Sequence, residues 1–456
     1  MRLSKLIIPD LDRMLDQEPE ALTDALAEIH PEDLAEIVDE LATERATALT
    51  RALPPELAAD VLERLSEERR VAIIQALGPV QSAELVTEMD ADDRADLVQE
   101  LPEDLRAEVL AQVQEQEPDI AAELRVLTSY AEDTAGGLMT TEYLALWPEL
   151  TVAEAIDEVR ASRERDLETV YYIYVVAYDK LVGVLSLRDL ILSQPEEPLS
   201  EVMTEQVVSV DADTDQEEVA QKIARYDLSA LPVVDGSGHM LGVVTVDDVV
   251  DVVIHEATED THMMGAVMPI EESYFQTNFF EFMRSRITWL IVLFVGELLT
   301  ASVMDAYEAQ LSAVMDLVLF VPLIISSGGN SGSQSSSLII RGLALGEIKP
   351  ADWPRVFGRE LGMGLALGAV LGVVGYARAF FGGGIEHPLA MAGTVSASIV
   401  AVVTLGTLVG SLMPLAIKRV GLDPAVSSTP FVASLVDVLG LVVYFSVART
   451  VFAMVL

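Results

Sequence analysis

The sequence predicts a multidomain chain. An all-α helical-repeat N domain covers residues 1–130, an α/β tandem pair 131–252, a connecting helix 253–283 and a five-helix α transmembrane domain 284–456. Three observations predict this division. Leu-, Ala- and Glu-rich segments recur every 24 residues in the first part. Two units of like pattern follow, each joining Val/Ile-rich strand segments to an acidic helix. The remainder is a series of long apolar stretches with few charges.

Charge separates the halves further. The chain carries a formal net charge of −46, yet residues 271–456 hold 10 Lys/Arg against 13 Asp/Glu. The first 270 residues therefore hold 18 against 61, a net −43. Such a surface repels nucleic acid and anionic lipid and attracts cations. A solvated, salt-adapted surface would give the same excess. There is no cysteine, which excludes disulfides and thiolate metal sites. The N-terminus MRLSKLIIPDLDRML lacks a leader-like apolar core, so the soluble half is expected in the cytoplasm.

In the N domain, RAL ends at Leu53, QAL at Leu77 and QEL at Leu101, and matching helix starts stand at Pro31 and Pro55. Pro and acidic residues suit a first helical turn. Short helices at this period predict a small solenoid-like array of either hand. Asp90, Asp92, Asp93 and Asp96 form a local acidic cluster. Asp92 and Asp96 are four apart and share a helix face. A bridging divalent cation would relieve their repulsion, and an exposed helix-start cluster explains them equally.

Leu138-Met139-Thr140 opens the first α/β unit and Val202-Met203-Thr204 the second. Each continues through a short strand, an acidic helix and a strand pair, with Gly183 and Gly242 at equivalent places. The pattern resembles a pair of cystathionine-β-synthase (CBS) motifs, commonly regulatory modules. That resemblance implies adenine-nucleotide binding, with Tyr171 against the base and Arg188 and Asp189 at ribose and phosphate; ATP is the candidate ligand. The second unit carries Asp247 and Asp248 where the first has Arg188 and Asp189.

Residues 253–283 read as an acidic connecting helix with Glu256, Glu259 and Asp260. Five spans are expected at about 287–306, 313–338, 357–381, 391–417 and 426–452. Arg284, Arg286, Arg341, Lys349, Arg355, Arg359, Lys418 and Arg419 all fall on one side of this odd-numbered bundle, Arg378 and Arg449 being exceptions. The positive-inside rule places the N-terminal domains inside and the C-terminus outside.

Two features mark an ion path. Asp437 is a lone carboxylate within the last span, where charge costs roughly 2.5–3.5 kcal/mol and by default signals function. The second span carries SSGGNSGSQSSS, residues 326–337. Small polar residues there either pack helices closely or wet a pore. Pro430 is expected to disrupt the last span's hydrogen-bond ladder.

The motifs from Pro322 to Gln334, from Gly421 to Ala425 (GLDPA) and from Pro430 to Gly440 (PFVASLVDVLG) resemble the MgtE family of magnesium channels or transporters over nearly the whole chain. The resemblance implies a homodimer in the cell (inner) membrane, with one central pore lined by the second and fifth spans. Asp437 would select the ion, with Ala433, Asn330 and Gln334 along the path. Mg²⁺ would also lock the closed state at Asp92 and Asp96, at Asp215, Glu217, Asp227, Asp248, Asp251, Glu259 and Asp260, and at Asp423 facing the connecting helix. Mg²⁺ prefers octahedral oxygen ligands and keeps several waters, which suits an all-carboxylate set. Carboxylates and water also accept Co²⁺ or Mn²⁺. A non-transporting nucleotide- or ion-sensing membrane protein is the other alternative. No nucleophile–base pair, HExxH or phosphate loop supports an enzyme.

Overall fold

The computed structural model describes residues 11, 15, 26 and 29–456, apart from 165, 166, 168, 271–273, 276, 309–314, 384, 386 and 454–456. Most of the N-terminal stretch read for a leader lies outside these residues. The chain forms two units, Met1–Val253 and Ile254–Leu456.

Among the described residues from Pro31 onward, the first unit holds eight helices before its sheets: α1 (Pro31–Glu40), α2 (Thr43–Ala52), α3 (Pro55–Glu63), α4 (Glu67–Leu77), α5 (Pro79–Glu88), α6 (Ala91–Glu100), α7 (Glu103–Gln116) and α8 (Pro118–Leu127). The 24-residue period is a helix pair. Odd-numbered helices start at 31, 55, 79 and 103, and even-numbered ones at 43, 67 and 91, with α8 three residues past the period at 118. Odd helices stack on odd and even on even, so each repeat buries its apolar stripe against the next. Pro at the first turn of α1, α3, α5 and α8 pre-sets helical φ where no N–H is needed. Leu34, Ile37, Leu62, Ile73, Ile74 and Leu97 are fully buried in the shared core, each stabilising by about 1.5–3 kcal/mol relative to exposure.

Two sheets of three strands follow. The first has β1 (Ala145–Leu146), α9 (Val152–Ala161), β2 (Tyr172–Ala177) and β3 (Lys180–Ser186), then α10 (Leu187–Leu192) and α11 (Leu199–Val202). The second has β4 (Val210–Asp211), α12 (Gln216–Tyr226), β5 (Ala230–Val234) and β6 (Met240–Thr245). In each the first pair is parallel and the second antiparallel. The registers coincide: Val175 faces Gly183 and Val233 faces Gly242, with an irregularity immediately after each. The segments expected to open each unit are exchanged between them. Thr140 pairs with Val243 of the second sheet, and Thr204 with Val184 of the first. Gly183 and Gly242 make this exchange possible. A Cβ there would lie 2.3 Å from Met203 Sδ and 2.6 Å from the Thr140 carbonyl.

The connecting helix begins earlier than expected. α13 runs from Val246 to Met264, directly after β6, so Asp248 and Glu259 lie on one helix.

The second unit is a helical bundle: α14 (Phe279–Ala306), α15 (Val321–Ala344), α16 (Trp353–Phe381), α17 (Pro388–Arg419) and α18 (Thr429–Phe452). Among the described residues, α14, α16, α17 and α18 are long and apolar enough to cross a membrane. α15 has the length, about 36 Å at the helical rise, and owes its lower hydropathy to its polar patch. It starts at Val321, after a 3₁₀ turn at Met315–Phe320; residues 313 and 314 of the expected span lie outside the described residues. α17 is the bundle's buried centre, packing on α15, α16 and α18. Pro430 stands in the first turn of α18. It opens that helix instead of breaking it, because the missing N–H falls where no intrahelical partner exists.

Candidate functional site

The small-residue patch on α15 has two faces. Gly328 and Gly332 are buried against α17. A Cβ on Gly406 would lie 2.3 Å from the Gly328 carbonyl, and one on Gly410 2.1 Å from the Gly332 carbonyl. This face is close helix packing. The other face carries Ser326, Asn330 and Gln334 at four-residue spacing, all exposed. Asn330 Nδ2 donates to Ser326 Oγ at 3.4 Å. The stripe therefore both packs and presents a polar row.

Asp437 lies against Gly329, the residue before Asn330. Its Oδ1 is 3.6 Å from the Cβ position of Gly329, and Ala433, one turn earlier on α18, is also 3.6 Å from it. Ser333 Oγ donates to the Thr429 carbonyl at 3.2 Å, and Ser336 Oγ to the Ser427 carbonyl at 3.2 Å. These bonds fix the start of α18 against α15.

Two membrane carboxylates carry roles that the sequence reading missed. Glu360 on α16 accepts from Ser335 Oγ at 2.7 Å, while its carbonyl accepts from Thr407 Oγ1 at 3.3 Å, joining α15, α16 and α17. Glu297 on α14 accepts from Ser434 Oγ at 3.3 Å. An acid inside an apolar run was the available signal for Glu297, as it was for Asp437.

In the first unit, carboxylates converge near the start of α6. Ligand atoms of Glu63, Asp90 and Asp93 all lie within 4.8 Å of one another. Burial pushes Asp93 up to about 8, with Glu63, Asp96 and Asp248 adding to it and Arg70 opposing it. Burial also lifts Asp96 to about 7 and Glu63 to about 7. Asp248 is raised by burial and by Asp247 and Asp251, although it accepts a bond from Thr245 Oγ1 at 2.6 Å. Arg70 is already engaged by Glu100, Nε to Oε2 at 2.9 Å, and cannot neutralise the group alone. All donors are oxygen, as a hard cation with ligands at about 2.0–2.1 Å and retained waters requires.

Asp92 and Asp96 of the expected pair both lie on α6. The charge of Asp248 adds to the upward shifts of both Asp96 and Asp93, three residues before it, while Asp92 is 9% exposed. Glu63 belongs to the neighbouring repeat, which sequence spacing does not reveal. Asp251 flanks Asp248. Asp215 caps α12 through the Glu217 N–H at 2.9 Å, and Asp227 closes the same helix in a left-handed conformation, φ 52°. In the second unit, Glu259 is raised by burial, by Glu256 and by Asp423. Asp423 on the loop before α18 thus stands within charge range of the connecting helix; Asp260 is the next residue along it. Tyr171 and Arg188 are exposed, and Asp189 is occupied in a capping box with Ser186.

Carboxylate clusters in a soluble unit, and a carboxylate beside a polar row in a membrane bundle, define the class: a membrane cation transporter with acidic regulatory domains. Family comparisons agree. A model described as MgtE, divalent cation transporter, matches residues 321–447. The MgtE intracellular N domain matches 29–133, and CBS domains match 135–196 and 199–255. The magnesium transporter MgtE of Thermus thermophilus is 41% identical over 446 residues, 98% of each chain. That of Enterococcus faecalis is 36% identical over 329 residues, 72% of this chain and 71% of its own. A crystal structure of the soluble part of a magnesium transporter shares 31% identity with a TM-score of 0.51, covering 56% of this chain and 99% of its own. The chain belongs to the MgtE family.

Proposed function

We propose that this chain moves Mg²⁺ across a membrane into the cytoplasm along a path where Asp437 selects the ion. The carrying observation is the half-buried Asp437 carboxylate beside Gly329 and the exposed row Ser326, Asn330, Gln334. A polar row on a membrane helix needs water or a partner. A second copy of the chain supplies both, enclosing a wet path with Ala433 and Asp437 from each subunit. Two carboxylates then match a divalent ion that keeps part of its hydration shell. Oxygen-only surroundings favour a hard cation over a soft one.

Regulation uses the same ion. With little cytoplasmic Mg²⁺, Glu63, Asp93, Asp96 and Asp248 repel one another or hold protons. Mg²⁺ replaces those protons and draws the N domain and second CBS unit together, which closes the path. The effector must bind the closed state more tightly for this to work. Further ions act at Asp92, at Asp215, Glu217, Asp227 and Asp251, and between Glu259, Asp260 and Asp423. The working divisions are 1–130, 131–252, 253–283 and 284–456, with the C-terminus outside. ATP acts as a regulatory ligand at Tyr171, Arg188 and Asp189 of the first CBS unit. Flux of Mg²⁺, Co²⁺ and Mn²⁺ into vesicles containing the purified protein tests the reading. Saturable Mg²⁺ entry that falls as Mg²⁺ rises on the cytoplasmic face supports it, and absence of entry for all three ions rejects it.

A further inference from the structure

We propose that Glu297 is a second ion-handling carboxylate of the transport path: held by Ser434 beside Asp437, it strengthens divalent-cation binding at Asp437. α14 carries acids near its ends, Glu281 and Asp305, and one in its middle, Glu297, within WLIVLFVGELLTASVM. A mid-membrane carboxylate without compensation costs roughly 2.5–3.5 kcal/mol. Among the described residues Glu297 forms no ion pair, and its one side-chain hydrogen bond is from Ser434.

The position is specific. Ser434 follows Ala433 and precedes Asp437 by three residues, so it lies on the adjoining face of α18 within one turn. Gly296 brings α14 close, its Cβ position being 3.7 Å from Ser434 Cβ. Through Ser434, Glu297 is tied to the helix that carries Asp437. It is exposed on the subunit surface rather than packed inside the bundle, and Oε2 accepts no hydrogen bond among the described residues. Two acids so placed repel each other unless a cation lies nearby. With Glu297, each subunit contributes two charges to the ion's surroundings instead of one. A neutral hydrogen-bonding role between α14 and α18 needs only the oxygen that Ser434 contacts, which glutamine also offers.

This inference rests on the transport reading above, and the test separates the two. Mg²⁺ entry is measured in vesicles with the unmodified protein, Asp437→Asn, Glu297→Gln and Glu297→Asp. No entry with the unmodified protein defeats the transport reading itself. If entry is present, Glu297→Gln is expected to raise the half-saturating Mg²⁺ concentration about tenfold, the scale of one lost charge at intermediate dielectric. Its maximal rate should stay near that of the unmodified protein, and Glu297→Asp should restore most of the affinity. An unchanged half-saturating concentration in Glu297→Gln overturns the inference and leaves a neutral contact. Should that variant fail to assemble, the unmodified protein decides. Labelling of Glu297 by an apolar carbodiimide, mapped by mass spectrometry, should fall as Mg²⁺ is added, and labelling indifferent to Mg²⁺ overturns the inference.

Discussion

The Thr429 hydroxyl donates to the carbonyl oxygen of Met264 at 3.1 Å. Met264 is the last residue of the connecting helix and Thr429 the first of the helix that carries Asp437. The bond also satisfies a carbonyl left over at a helix end. The bond ties the end of the connecting helix to the start of α18, where Ser333 holds the other side of Thr429. Thr429→Val keeps the shape and removes the donor. We expect Mg²⁺ entry to persist while its inhibition by cytoplasmic Mg²⁺ weakens by about three- to tenfold, on the scale of one hydrogen bond at about 1 kcal/mol. Dose–response curves for inhibition, measured in vesicles, check this.

The acidic cluster predicts an unusual pH dependence. Asp93, Asp96 and Glu63 bind protons more tightly folded than unfolded, with values of about 8, 7 and 7. Between about pH 4 and 8 the folded state therefore holds more protons, and stability falls as pH rises. Thermal unfolding of the cytoplasmic part, followed in the purified full chain without divalent ions, should show a falling Tm across that window. Millimolar Mg²⁺ should flatten the fall by supplying the positive charge instead. Asp93→Asn should raise the metal-free Tm at pH 8 and reduce the Mg²⁺ effect; a metal-free Tm that rises with pH would contradict the cluster.

Mg²⁺ binding at these sites must also displace protons. Calorimetry in buffers of different ionisation enthalpy should register proton release at pH 6.5. That release should shrink in Asp96→Asn, which removes one of the raised groups.

The Gly406 and Gly410 contacts with α15 leave no room for a methyl group. Overpacking of this kind costs typically 1–3 kcal/mol. Gly410→Ala should lower the Tm of the membrane part, whereas Gly393→Ala, where a Cβ meets nothing within 4 Å, should leave it unchanged. Equal Tm values for the two variants would show that α15 and α17 are not held this closely.

Periodicity made much of this fold legible. The 24-residue spacing gave the helix pairs, because each repeat must present the same stripe to its neighbour. Equivalent glycines gave the paired sheets. Exchange of the Thr140 and Thr204 segments was hidden, since a strand's sequence does not say which sheet it joins. The same limit applies to the carboxylate cluster: Glu63 meets Asp90 and Asp93 only through stacking of repeats. Asp437 was legible because charge is rare in a span. Glu297 met the same criterion, yet only its contact with Ser434 links it to the path. The patch at 326–337 posed packing against wetting; its glycines pack inward against α17, and Asn330 and Gln334 are exposed.

The central claim is that the Asp437 carboxylate selects the ion. Asp437→Asn keeps the size and removes the charge. Mg²⁺ uptake by vesicles holding this variant, with thermal stability and oligomer size matching the unmodified protein, is the most direct measurement. The account predicts loss of Mg²⁺ uptake; uptake at the unmodified rate and half-saturating concentration would contradict it.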